Sequence, residues 1–233
     1  MKQYSPRTRT GLRAAVWAVL ATVLLTTGLA RPAVASTAAE ELVEKSRFLI
    51  ERMLVDVQLP ELKGYVSRAH GLLIIPQLVK GGFILGAEGG SGVLMVRGSD
   101  GTWSAPAFYT LAAGSIGFQI GGQVSEAVFA VMNEGAVDAL LGSEFKLGGE
   151  LNITVGPIGK GVGVSTTTNF GADVYAFSKN LGLFGGGALA GTKLFTRKEL
   201  NEGYYGPGAT PRDIVIERTF FNPQSEKLRM AAP

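Results

Sequence analysis

The chain has 233 residues, with 22 Lys and Arg against 19 Asp and Glu, one histidine and no cysteine. Disulfides, zinc–thiolate sites and cysteine nucleophiles are excluded, and one histidine leaves little for metal or acid–base chemistry. Five of the 22 basic residues (Lys2, Arg7, Arg9, Arg13, Arg31) precede Ala35 and no acid does, so the remainder holds 17 basic against 19 acidic residues, a net of −2, and gives no reason to expect a nucleic-acid partner.

The basic start is followed by an uncharged, mostly apolar run from Ala14 to Ala30 and by small residues at Ala33-Val34-Ala35. That is the layout of a secretory signal cut after Ala35. Residues 1–35 are therefore expected to be a signal peptide, and residues 36–233 one domain exported to the periplasm or cell envelope. Arg7-Thr8-Arg9 is not a paired-arginine export signal, and no cysteine follows the apolar run to carry a lipoprotein anchor.

Thr37-Ala38-Ala39-Glu40 has the spacing of a capping box. Behind it Leu42, Ser46, Leu49, Ile50, Met53 and Val57 recur at helical spacing, which predicts an amphipathic helix from about 38 to 57. Its other faces mix acid and base evenly, so packing on the domain is favoured over lying on a membrane. Pro60 to Tyr65 reads as a turn or short helix, and Gly71 to Pro76 as a buried strand.

Further strands are expected at 83–85, 92–97 and 102–103, the last two joined by a turn at Ser99-Asp100-Gly101. Ala105-Pro106-Ala107 is read as an interruption, 115–123 as a resumed strand and 127–132 as a central one. Asn133 to Gly142 predicts a short helix with Asn133 as its N-cap. Strands follow near 145–155, 161–168 and 171–178, then a turn at Lys179-Asn180 and a long strand over 181–195. Thr196-Arg197-Lys198-Glu199 reads as a second capping box, Tyr204 to Gly208 as a loop, and Thr210-Pro211 as the start of a last helix. The tail past Asn222 is expected to fray or form one amphipathic turn. The class is α+β: a strongly curled, barrel-like, mostly antiparallel glycine-rich sheet with an N-terminal amphipathic helix and two or three short helices.

The glycines match neither a dinucleotide fingerprint nor a P-loop. Small-xxx-small spacing occurs at Gly182/Gly186, but Lys179 and Lys193 confine that stretch to 13 uncharged residues, too short to span a bilayer. No serine elbow accompanies His70, and no acid or histidine cluster suggests a metal. What remains is binding.

Seven blocks in this order carry a resemblance: HGLLIIPQLVKGGFILG, GVLMVRGSDGTWSAPAFYTL, GSIGFQIGGQ, VFAVMNEGAVDALL, FKLGGELNITVGPIGK, YAFSKNLGLFGGGALAG and LNEGYYG. Together they resemble the SYLF domain family, which includes the Ysc84-like actin-binding domains, over about residues 40–217. The resemblance implies a lipid-binding module rather than an enzyme. Eukaryotic members are linked to phosphoinositides and actin, and exported bacterial members to lipid. Its recurring positions fall on Lys80, Trp103, Pro106, Gly117, Gln119, Gly121, Asn133, Lys146, Gly182, Tyr204, Tyr205 and Gly206. The chain departs from the pattern at Glu88 and Ser91, where a basic residue is common, and at Ala188 and Ala190.

The expected function is association with anionic phospholipid or a membrane surface, without catalysis, cofactor or metal. Lys80, Lys146, Lys160, Lys179, Arg68 and Trp103 are the candidate lipid contacts. Actin is not expected as the partner of an exported protein. The alternative is an envelope structural or protein-interaction domain with an envelope protein as partner.

Overall fold

The computed structural model describes residues 31–82, 85–116, 121–142, 144–147, 151–156, 172–178 and 192–233. Helix α1 is Arg31–Leu54 and α2 is Leu62–Arg68. Strands β1 (Gly71–Gly82), β2 (Leu85–Val96), β3 (Ala107–Ile116) and β4 (Gly121–Val131) follow. After them come α3 (Glu134–Leu140), β5 (Glu144–Leu147), β6 (Ile153–Val155), β7 (Val174–Phe177) and β8 (Thr192–Thr196). The chain closes with α4 (Lys198–Tyr205), α5 (Pro211–Val215), a 3-10 turn at Pro223–Ser225 and α6 (Glu226–Ala231).

All eight strands share one sheet, in the order β5-β8-β3-β2-β1-β4-β7-β6. The neighbours are antiparallel except β6 and β7, and the sheet curls into a half-barrel, giving the expected α+β class. The topology is nested: β1 and β2 at the centre, β4 and β3 outside them, then β7 and β8. The end of β1, the start of β2, the end of β3 and the start of β4 therefore lie together at one end. Ladder rows at that end pair Gly82 with Gly86 and Gly121, and Gly81 with Ala87 and Gly122.

Both faces of the sheet are covered, which is why β1 reads as continuous hydrophobics rather than as an alternating strand. Leu73, Ile75, Leu78, Leu94, Tyr109, Leu111, Ala127, Phe129 and Leu194 face the concave side, packed against α3 and α5. Their neighbours Leu72, Ile74, Val93, Met95, Phe108, Val128 and Ala130 face the other way, against α1, α2, α4 and α6. Pro76 sits within β1, where its missing N–H is accommodated by a register break between Ile75 and Leu78. The bulged segment presses on β2: a Cβ on Gly90 would overlap the Gln77 carbonyl oxygen, and one on Gly92 the Ile74 carbonyl and the Ile75 side chain. Glycine is required at both by close approach.

Several boundaries differ from expectation. Helix α1 already runs from Arg31, the first described residue, through the Thr37 box, because the alanine-rich stretch around it favours helix. It stops at Leu54, where the Asp56 carboxylate accepts the Gln58 N–H and competes with the helix, leaving Val57 exposed rather than on the apolar face. Leu85 and the segment expected at 92–97 fall in one strand, β2, with 83–84 outside the described residues, and β3 begins at Ala107, at the end of the expected interruption at 105–107, rather than at 115. Thr196 stays in β8 opposite Tyr109, so the second capping box does not form and α4 begins after Arg197. Tyr204 and Tyr205 are the last turn of α4 rather than a loop; Gly206, at φ 117°, ends it. Asn133 and Thr210 cap α3 and α5 as expected, accepting from the Ala136 and Asp213 amides. The expected 161–168 strand and the turn at 179–180 lie outside the described residues.

One buried residue replaces a missing strand partner. Asn201, fully buried on α4, accepts the Phe108 N–H at 2.9 Å and donates to the Phe108 carbonyl at 3.3 Å. Asn201→Leu leaves that buried amide unpaired and is expected to lower the unfolding free energy by about 2 kcal/mol. Urea unfolding checks this, and an unchanged midpoint would contradict it.

Candidate binding surface

Helix α1 packs on the convex face of the sheet against β1 and β2, beside the bulge residues Pro76 and Gln77. Leu42, Leu49, Ile50 and Met53 point into the core. Lys45, Phe48, Arg52 and Val55 form a second stripe at i, i+3, i+7, i+10 spacing, turned away from it. Phe48 is 60% exposed, and the Arg47 guanidinium lies 4.0 Å from its ring centroid. Arg47 is pinned by Glu44 and Glu51 at 2.9 Å each, and those hydrogen bonds hold its pKa above the ordinary value.

Beside Phe48 the sheet contributes two exposed valines that are direct ladder partners, Val79 (46% exposed) and Val124 (58%). Between them and α1 runs a groove of about 940 Å³, with Phe48, Leu49, Pro76 and Val124 among its walls. An ion pair from Arg52 on α1 to Glu126 on β4, 2.5 Å, bridges it. A second hollow of about 320 Å³ lies along the other flank of α1, with Leu42, Val79, Gly89, Arg197 and Leu200 among its walls. Lys45, Pro76 and Gln77 belong to both, so the two form one trench.

The residues expected to contact lipid are not gathered there. Trp103 is 3% exposed, in the convex-side core, with its ring against the Arg97 guanidinium at 4.2 Å. Arg68 closes α2 and lies 5.2 Å over the Tyr65 ring, just before β1 begins. Lys80 stands near the far end of β1, opposite Glu88 and Gln123 in the ladder. The nine residue steps from Gly71 to Lys80 put roughly 30 Å between these two ends. Lys146 stands opposite Lys193 at the β5–β8 edge. Lys160 and Lys179 lie outside the described residues.

Tyr204 and Tyr205, positions the family resemblance picked out, act within the core. The Tyr205 hydroxyl donates to the Pro106 carbonyl at 2.7 Å, the Tyr204 hydroxyl donates to Gln224, and burial pushes both phenol pKa values up. His70 sits at the start of β1, its backbone N–H bound to the Val131 carbonyl at 2.8 Å. Among the described residues, no group of three or more His, Asp or Glu is placed to hold a metal, and no helix is long and apolar enough to cross a membrane.

Sequence reasoning missed Phe48, Val124 and Arg197. Phe48 had a usable signal, an aromatic off the apolar stripe of an otherwise charged face. Val124 and Arg197 had none, because what matters about them is which strand lies beside them.

The sequence profile of the Ysc84 family, described as Las17-binding protein actin regulator, matches residues 112–232. The human SH3 domain-containing YSC84-like protein 1 is 37% identical over 164 residues, covering 70% of this chain and 48% of the relative. Protein YSC84 of Saccharomyces cerevisiae is 35% identical over 168 residues, covering 70% of this chain and 35% of the relative. LAS seventeen-binding protein 3 of the same yeast is 35% identical over 158 residues, covering 66% and 34%. The chain thus spans about half the length, or less, of these relatives. With the profile matched over more than half its length and the block order carried through β1 to α4, the chain belongs to the Ysc84 (SYLF) family.

Proposed function

We propose that the protein is a non-catalytic module that associates with anionic phospholipid surfaces through the glycine-rich end of its sheet and the adjoining flank of α1. The observation that carries this reading is the cluster of exposed Phe48, Val79 and Val124 beside ladder rows of glycine. An apolar patch of this kind inserts into the boundary between headgroups and acyl chains, and a floor without side chains lets the headgroups come close. Around it lie Lys45 and Arg52 on α1, each paired with a carboxylate, and Arg197. The same reading has the chain exported and cut near Ala35, which the mass of the protein recovered from cells tests.

A second reading, favoured by the family description, is a protein partner held in the trench. Co-sedimentation of residues 36–233 with vesicles distinguishes the two. Anionic vesicles are expected to carry the protein down more than neutral ones. Raising the salt is expected to reduce that excess without abolishing it, since salt screens the charges and leaves apolar insertion intact. Equal failure on every vesicle would reject the lipid reading in favour of a protein partner.

A further inference from the structure

The trench has an imbalance of charge that the surface reading does not use. Its lining carboxylates already have cations: Glu41 meets Lys45 at 2.6 Å, Glu126 meets Arg52 at 2.5 Å, and Glu51 meets Arg47 at 2.9 Å. Among the described residues, the lining cation without a carboxylate is Arg197, whose Nη1 donates to two neutral hydroxyls, Ser91 Oγ at 2.9 Å and Thr110 Oγ1 at 3.2 Å. Its side chain is thereby laid along the sheet into the trench rather than out into solvent, half-buried, with one face of the guanidinium fork committed and the rest available for an acid.

The floor follows a single ladder row perpendicular to the strands, from Val124 and Val79 to Gly89. The row is aliphatic at one end and bare at the other. Above Gly89 there is room: a Cβ built there meets its nearest neighbour, the Leu111 carbonyl oxygen, at an ordinary 3.6 Å.

We propose that the trench holds one molecule of an anionic amphiphile, its aliphatic chain along Val124, Val79 and Gly89 beneath α1 and its carboxylate or phosphate on Arg197. This rests on the lipid reading above but goes beyond it, from a surface to a single ligand. The charge balance favours such a ligand over a peptide: the walls offer aliphatic contact and, among the described residues, one uncompensated cation.

The test is calorimetric titration of the full chain with dodecanoate and with dodecyl phosphate, each below its micelle concentration. Methyl dodecanoate, inorganic phosphate and an acidic peptide serve as comparisons. Saturable one-to-one binding of at least one anionic amphiphile is expected, with the ester at least tenfold weaker and phosphate alone silent; the preferred head tells carboxylate from phosphate. Arg197→Gln is expected to weaken binding at least tenfold and Arg197→Lys less. Gly89→Val, whose Cβ makes only ordinary contact, is expected to abolish it with the melting temperature kept. Should Gly89→Val fail to fold, the Arg197 pair still decides. Equal affinity for the ester, unchanged affinity in Arg197→Gln, or tighter binding of the peptide overturns the proposal. Silent titrations with vesicle binding intact overturn this inference alone; silent vesicles with saturable titrations overturn the surface reading and leave the trench.

Discussion

Trp103→Ala is expected to lower the unfolding free energy by about 3–5 kcal/mol, the range for truncating a large buried aromatic. For a domain of this size that corresponds to a fall of roughly 10 °C or more in melting temperature. The indole joins three separate parts of the chain. Its ring is stacked on Arg97, whose guanidinium also donates to the carbonyls of Ala69 (3.1 Å), Val66 (3.0 Å), Gly101 (3.0 Å) and Pro233 (2.6 Å). Its own Nε1 donates to Pro233 at 3.4 Å, and Arg229 on α6 donates to its backbone carbonyl at 2.8 Å. Burial lowers the Arg97 pKa, a cost that four carbonyls and an aromatic face offset. Removing the ring loosens the end of α2, the β2–β3 connection and the C-terminal segment together. Vesicle binding per folded molecule is expected to stay the same, because this corner lies at the opposite end of β1 from the glycine rows. A melt and a co-sedimentation on the same preparation check both halves. Loss of vesicle binding with an unchanged melt would return Trp103 to the lipid contacts the sequence suggested.

Much of the fold could be read from local patterns. The Asn133 and Thr210 caps and the continuous apolar start of β1 follow from residue types and spacing, and all are present, while β4, expected at the centre, lies one place outside the central β1–β2 pair. The errors share one physical origin. Pro76, Pro106 and the glycines of β2 look like strand breakers taken one at a time, yet β1 carries its proline at a bulge, and Gly90 and Gly92 are the residues that make room for that bulge. Only the neighbouring strand shows that these two features are one device. Tyr204 and Tyr205 were misread as loop for a related reason. Their hydroxyls are satisfied by Gln224 and Pro106, far away in sequence, which lets the helix continue to Gly206.

The candidate site was less legible, because convergence is a tertiary property. Lys80, Lys146, Arg68 and Trp103 were joined by type and by position near turns, and the register separates them across the length and width of the sheet. Lys80 is the instructive case: the sequence shows a lysine beside glycines, and the ladder sets it opposite Glu88, which is itself buried. Phe48 and Val124 are 76 positions apart in the numbering and share one groove wall only because α1 lies across β4 at the Arg52–Glu126 pair.

That shared wall is where the largest functional effect is expected. Phe48→Ser combined with Val124→Ser should reduce partition of residues 36–233 into anionic vesicles by at least about tenfold. Burying one such side chain in an apolar phase is worth about 1.5–3 kcal/mol, and 1.4 kcal/mol is a factor of ten. Both side chains are more than half exposed in the free protein, so the folded state loses little when they are shortened and the melting temperature should move by only a degree or two. Val55→Ser is the matched control: it is 80% exposed just past the end of the same helix, yet it does not line the groove. A surface that works by general hydrophobicity would respond alike to both changes. One that inserts at the groove loses binding only in the double variant, and the salt dependence of what remains should steepen, because the charges are then left to hold the vesicle alone.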